Sequence, residues 1–284
     1  MKTQNLLYLI FFAIITSCSK NDEPTIIPID ETPTVGDNVV TTFMPINAMN
    51  TWNYATENTV TTPTPTSGTG ITTGADVLKV DSEVVENLIS YKLMKTLPIT
   101  PTGFYCNSVN NNKLRVDGSS VKMTGNISFN LGTNVLNFGV TDFVLFKENA
   151  LVNTNLGSPS TGSTILTIPP STIPINVNYT IKAVSGGDSS PITIGTTTYN
   201  NIKIVKLYVT IDASINLGAN SAQVFNPTMQ DVIISTQYYA KNIGVIKADT
   251  KIEYHLSSII GSLAPTIPVD GLSNVSEKLT SKNF

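Results

Sequence analysis

Two hydrophobic patterns divide this chain. Residues 6–15 are an unbroken apolar run. From about residue 50 onward the apolar residues come in short bursts, many alternating with polar ones. Trp52 and Tyr54 share one face at period two, and residues 127–131 (Ile-Ser-Phe-Asn-Leu) alternate cleanly. Alternation of this kind predicts half-buried strands. Residues 76–81 run out and residues 88–95 return, with a turn or bulge over 83–87. Phe104-Tyr105-Cys106 reads as a strand, Asn110-Asn111-Asn112 as a polar turn, and residues 113–116 as the next strand. Asp117-Gly118 is a hairpin signal before residues 121–123. Residues 142–147 form a more continuous apolar strand. Residues 164–168, 176–184, 191–194, 199–211, 232–240, 245–247 and 251–256 continue the series, with turns at Gly186-Gly187-Asp188 and Lys241-Asn242-Ile243-Gly244. Residues 272–279 read as a short helix or a frayed end. The pattern predicts an all-β protein: a curved antiparallel sheet, half-barrel-like, or a β-sandwich, with few or no helices after the first segment.

That first segment has a different purpose. Lys2, the apolar run and the small residues Thr16, Ser17 and Cys18 make a secretory signal peptide over residues 1–17. The run is too short for a mature membrane-spanning helix, which needs about 20 residues. Ile15-Thr16-Ser17-Cys18 resembles a lipobox, the site at which bacterial lipoproteins are cut and acylated. The resemblance implies that Cys18 is the lipid attachment site. Each buried methylene contributes ~0.8 kcal/mol, so two or three acyl chains hold firmly. Residues 18–42 carry Pro24, Pro28 and Pro33 among acidic and polar residues and read as a lipidated N-terminus and disordered tether. Residues 43–262 are then a single antiparallel β domain, and residues 263–284 a C-terminal tail.

Composition narrows the partners. Charged residues are 13% of the chain and the net charge is −3. With Arg115 its single arginine, the chain has no basic field to neutralise phosphates, so nucleic acid is not an expected partner. With Cys18 committed to lipid, Cys106 is left alone, and it reads as a small buried hydrophobe.

The search for chemistry returns little. His255 is the one histidine, in a strand between Tyr254 and Leu256. No Gly-x-Ser-x-Gly elbow surrounds a serine. Asp76, Asp81, Glu83 and Glu86 lie close in the chain and read as a solvated edge rather than an acid–base pair. One histidine and one free cysteine do not supply a transition-metal cluster. No catalytic, metal or cofactor-binding residue is assigned, no cofactor is expected, and an enzyme is not the expectation.

Tyr238-Tyr239-Ala240-Lys241-Asn242-Ile243-Gly244-Val245-Ile246-Lys247 resembles the closing hairpin of a β-rich lipoprotein group of Bacteroidetes envelopes. Trp52 and Tyr91-Lys92-Leu93 fit the same group, while Asn242 stands where the group prefers Gly. Ser19-Lys20-Asn21-Asp22-Glu23 resembles the charged segment after the lipidated cysteine in surface-displayed members. The resemblance implies an outer-membrane lipoprotein, on the cell surface rather than the periplasmic face. Two functions are open at this point: a membrane-anchored binding module holding an apolar or amphipathic ligand in a curved sheet, or a surface-displayed interaction lipoprotein that binds protein or glycan through loops.

Overall fold

The structure, a computed structural model, describes residues 41–61, 69–131, 134–167, 173–216, 220–263 and 268–284. All belong to one contact unit, Asp37–Phe284. The first half of the chain supplies β1 (Thr51–Val60), β2 (Gly70–Glu86), β3 (Ile89–Leu97), a short helix α1 (Phe104–Val109), β4 (Lys113–Asp117), β5 (Ser120–Leu131) and β6 (Asn134–Lys147). The second half supplies β7 (Ser160–Thr167), β8 (Pro174–Ser189), β9 (Ile192–Ile194), β10 (Thr197–Tyr199), β11 (Ile202–Asn216), β12 (Ser221–Gln223), β13 (Met229–Ala240), β14 (Gly244–His255), a second short helix α2 (Ser258–Leu263) and β15 (Asp270–Lys282).

Twelve strands form one curved antiparallel sheet in the order β6-β5-β4-β3-β2-β1-β15-β14-β13-β11-β8-β7, with β12 attached to β11. Of the two architectures open from sequence, the curved sheet is the one found. It is nearly closed. Each strand pairs with its neighbour in the sheet order, and the first and last described strands meet where β1 pairs with β15, from Trp52↔Lys282 to Val60↔Ser273. The gap in the ring lies instead between β6 and β7.

Alternation is what the strands read out. β8 and β11 bury every second residue over most of their length. Isoleucine, valine and leucine point inward, and threonine, lysine and asparagine point out, which suits a pleated surface with one wet face. Trp52 and Tyr54 are both buried as the period-two pattern requires. The Trp52 indole N–H donates to the Ile243 carbonyl at 2.6 Å, and the Tyr54 hydroxyl to the Val245 carbonyl at 2.7 Å.

Three sequence expectations are corrected. Residues 272–279, read as a short helix or frayed end within a tail, form most of β15, which pairs on both sides with β1 and β14. Its apolar residues Val275 and Leu279 are sparse, and polar Glu277 occupies an inward position between them, so the strand carries little of the usual signal. Gly186-Gly187-Asp188, read as a turn, lies within β8. The register with β11 shifts there, opposite Ile204/Val205, and Gly187 has φ +81°. The glycine signal therefore marks an irregularity in a continuous strand. Phe104-Tyr105-Cys106, read as a strand, is the first turn of α1.

Residues 41–50 close one end of the sheet as a strap. The Thr41 N–H donates to the Gly118 carbonyl in the β4–β5 turn, and the Thr42 carbonyl accepts from the Asn242 N–H in the β13–β14 turn across the mouth. Phe43, Met44 and Ile46 are buried beneath this crossing. Phe43 stacks on Phe146 at 5.3 Å, and Phe146 on Tyr239 at 4.6 Å. A buried aromatic pair contributes about 0.5–1.5 kcal/mol beyond its area.

Candidate functional site

The concave face is occupied before any ligand is considered. α1 packs on it, with Phe104, Tyr105, Cys106, Ser108 and Val109 buried. The helix is only six residues long and its N-cap Gly103 has no side chain to satisfy the free N–H groups of the first turn. Two carboxylates from distant strands do so. Glu277 of β15 accepts the Tyr105 N–H at 2.6 Å on one oxygen and the Cys106 N–H at 2.9 Å on the other. Asp76 of β2 accepts the Thr102 N–H at 3.0 Å and the Gly103 N–H at 2.7 Å. A side chain at Gly103 would place a Cβ 2.1 Å from Glu277 Oε1, so glycine lets the carboxylate approach.

The electrostatics follow from burial. Desolvation pushes the Glu277 carboxyl up to about 7; the N–H groups of Cys106 and Tyr105 oppose that shift, and Asp76 adds to it. Burial, and then the nearby Glu277 and Asp76 charges, push the Cys106 thiol well up, so it is not an activated nucleophile. The donor-type atoms of Asp76, Cys106 and Glu277 lie within 4.8 Å of one another. All four carboxylate oxygens already accept main-chain N–H groups, and the cluster works as a cap that fastens α1 to the sheet.

Open volume lies at the mouth, on both sides of the strap. One hollow, of about 570 Å³, is bordered by Glu148, Asn149, Asp188, Asn201, Lys203 and Lys241. Lys203 of β11 pairs with its cross-strand neighbour Asp188 of β8 at 2.6 Å on the hollow's border. Glu148 Oε2 is buried and has no hydrogen-bond partner among the described residues. An unpaired buried carboxylate oxygen is costly, and a donor from outside would satisfy it. The second hollow, of about 500 Å³, lies between the strap and the inner faces of β3 and β4, bordered by Ile46, Ser90, Lys92, Leu114 and Val116.

The residues singled out in the sequence are scattered. Cys18, the expected lipid attachment site, lies outside the described residues. Cys106 is fully buried, as a small hydrophobe would be. His255 stands in β14 with its side chain half exposed, Nδ1 2.7 Å from Asp270 and Nε2 3.8 Å from Glu253. The four carboxylates part company. Asp81 bridges Lys79 and Lys95 and Glu86 meets Lys113 on the wet face, while Glu83 meets Lys92 beside the second hollow. Asp76, read with them as solvated, is instead fully buried under α1. The one signal that separates it was its place at the even positions of β2 with Leu78 and Val80. Glu277 and Glu148 carried no sequence signal.

No protein-family model matches the chain, and neither a curated protein nor a solved structure matches it.

Proposed function

We propose that this chain is a lipid-anchored envelope protein of the outer membrane, held at Cys18 on the cell surface, that binds glycan at the mouth of its curved sheet. The observation that carries the reading is the first hollow: amide, carboxylate and ammonium groups line it together, and the buried Glu148 Oε2 has no donor among the described residues. Sugar hydroxyls donate and accept at the same oxygen, so they suit such a lining. The occupation of the concave face by α1 and the strap supports this reading over an apolar ligand inside the sheet. The Bacteroidetes resemblance and the lipobox supply the location.

The test is a titration calorimetry panel of envelope and host glycans against the full processed chain in detergent. A binding glycan whose affinity falls at least tenfold in Glu148→Ala and in Lys241→Ala supports the reading. Absence of binding across the panel, with an apolar molecule carried through purification, would replace it with the sheet-interior reading.

A further inference from the structure

The β2–β3 hairpin has a tip that folding alone does not explain. Asn87 and Leu88 turn it, with φ +51° and +66°. Both turn positions need a left-handed backbone, for which Asn-Gly is the usual pair. A leucine in the second place is strained by its Cβ and gains no burial in return, since Leu88 is 99% exposed. Beside it Val85 is 64% exposed and Ile89 is exposed as well. The charges flanking this apolar tip are neutralised locally, Glu83 by Lys92 and Glu86 by Lys113, each at 2.5 Å.

The tip also has a defined direction. Lys79 pairs with Thr51, the first residue of β1, and β2 continues from there to Glu86. At ~3.3 Å per residue the hairpin runs roughly 20 Å past the start of β1. It extends from the strap end. Thr41 is fastened there to Gly118, at the tip of the adjacent β4–β5 hairpin, so the chain leading back to Cys18 departs beside the apolar tip. Exposed apolar residues occur at the opposite end too, among them Ile71 and Ile99. The strap end alone is where the chain toward the anchor departs.

We infer that the β2–β3 tip is a membrane-contact element: Val85, Leu88 and Ile89 enter the interfacial layer of the bilayer to which Cys18 is anchored. This rests on the lipid-anchored reading proposed above. An acyl anchor holds the body near the surface, and a small apolar tip then fixes its orientation, because the cost of bringing it to the membrane has already been met by the lipid. The mouth and its hollows then open at headgroup level, so the glycans they meet are those carried on membrane lipids.

The experiment uses the full acylated chain reconstituted in vesicles of phosphatidylethanolamine and phosphatidylglycerol. Cys106 is buried, and Cys18 is acylated under this reading. Leu88→Cys therefore takes a polarity-sensitive nitrobenzoxadiazole label selectively, and Ile99→Cys serves as the opposite-end control. The expected result is a blue-shifted emission at position 88, quenched by a spin label on the lipid, with water-like emission at 99. Water-like, unquenched emission at both positions on an acylated chain overturns the inference and leaves the anchor standing. The mass of the N-terminal peptide, measured on the same sample, reports the anchor separately. An unmodified Cys18 there overturns both.

Discussion

The ring of strands has two places where it must close, and it closes them by opposite means. At β1–β15 the partners are the first and last of the described strands, and an antiparallel ladder, with one register shift at Asn53/Tyr54, joins them from Trp52↔Lys282 to Val60↔Ser273. At β6–β7 the partners are consecutive in sequence, yet no ladder forms between them among the described residues. Side chains bridge this seam. Tyr179 of β8 lies across Gly162 of β7, its cross-strand partner, and its hydroxyl donates to the Gly139 carbonyl of β6 at 3.2 Å. A Cβ at Gly162 would sit 2.3 Å from that hydroxyl, so the glycine opens the path for the ring. Phe138 of β6 meets the same ring at 4.8 Å, and the Ser160 hydroxyl of β7 reaches the Gly139 carbonyl at 3.4 Å. Proximity in sequence did not decide pairing. Backbone bonds join β1 to β15, far apart in sequence, and an aromatic clasp covers two strand edges that would otherwise invite pairing with another molecule.

Removal of residues 270–284 is expected to have the largest effect. Without β15 the ladders to both β1 and β14 go, together with the Glu277 cap. That exceeds the ~5–15 kcal/mol by which domains are stable. The shortened chain is expected to lose its cooperative transition in urea and its β-sheet circular dichroism; a cooperative transition near that of the full chain would show that β15 does not close the ring. At the seam, Phe138→Ala is expected to cost about 3–5 kcal/mol, as for other buried phenylalanines. Its chemical denaturation curve should shift in midpoint and keep its slope, because the ring stays joined at β1–β15.

A third test uses pH on the β15 side. In the unfolded chain Glu277 ionises near the ordinary 4.5, and in the folded chain at about 7. Its contribution is thus fully present below 4.5 and is lost as pH rises through 7, because the unfolded chain releases its proton first. The lost stability is roughly 3 kcal/mol. Glu277→Gln should flatten that part of the stability–pH profile relative to the parent. An unchanged slope between pH 4.5 and 7 would mean the carboxyl is not protonated on folding. The smallest effect is expected from Tyr179→Phe, which keeps the ring and removes one hydrogen bond to Gly139, about 1 kcal/mol. Amide exchange in β6 and β7 should quicken in this variant while β1 and β15 stay protected; equal quickening at both junctions would show that the seam is not a separate closure.

The local pattern of residues was enough to set most of the strands. Alternating β-branched and aromatic residues have one stable use, a sheet with one dry face, and that pattern is local. It put Trp52 and Tyr54 on one face, marked the turns at Asp117-Gly118 and Lys241-Asn242-Ile243-Gly244, and left a curved antiparallel sheet or a β-sandwich; only the pairing of the strands chose the curved sheet. The pattern did not contain α1 or β15. Phe104-Tyr105-Cys106 favours a strand on its own, and becomes a helix because Asp76 and Glu277, 27 and 172 residues from their partners, accept its free N–H groups. β15 is polar and Ser-rich, and only the two strands already waiting on either side give it a place. Likewise the hollows at the mouth and the Tyr179 clasp join residues from separate strands and turns. Local preference fixes what each segment can be, and only tertiary structure can satisfy a buried N–H or bridge an open strand edge with a group from elsewhere in the chain.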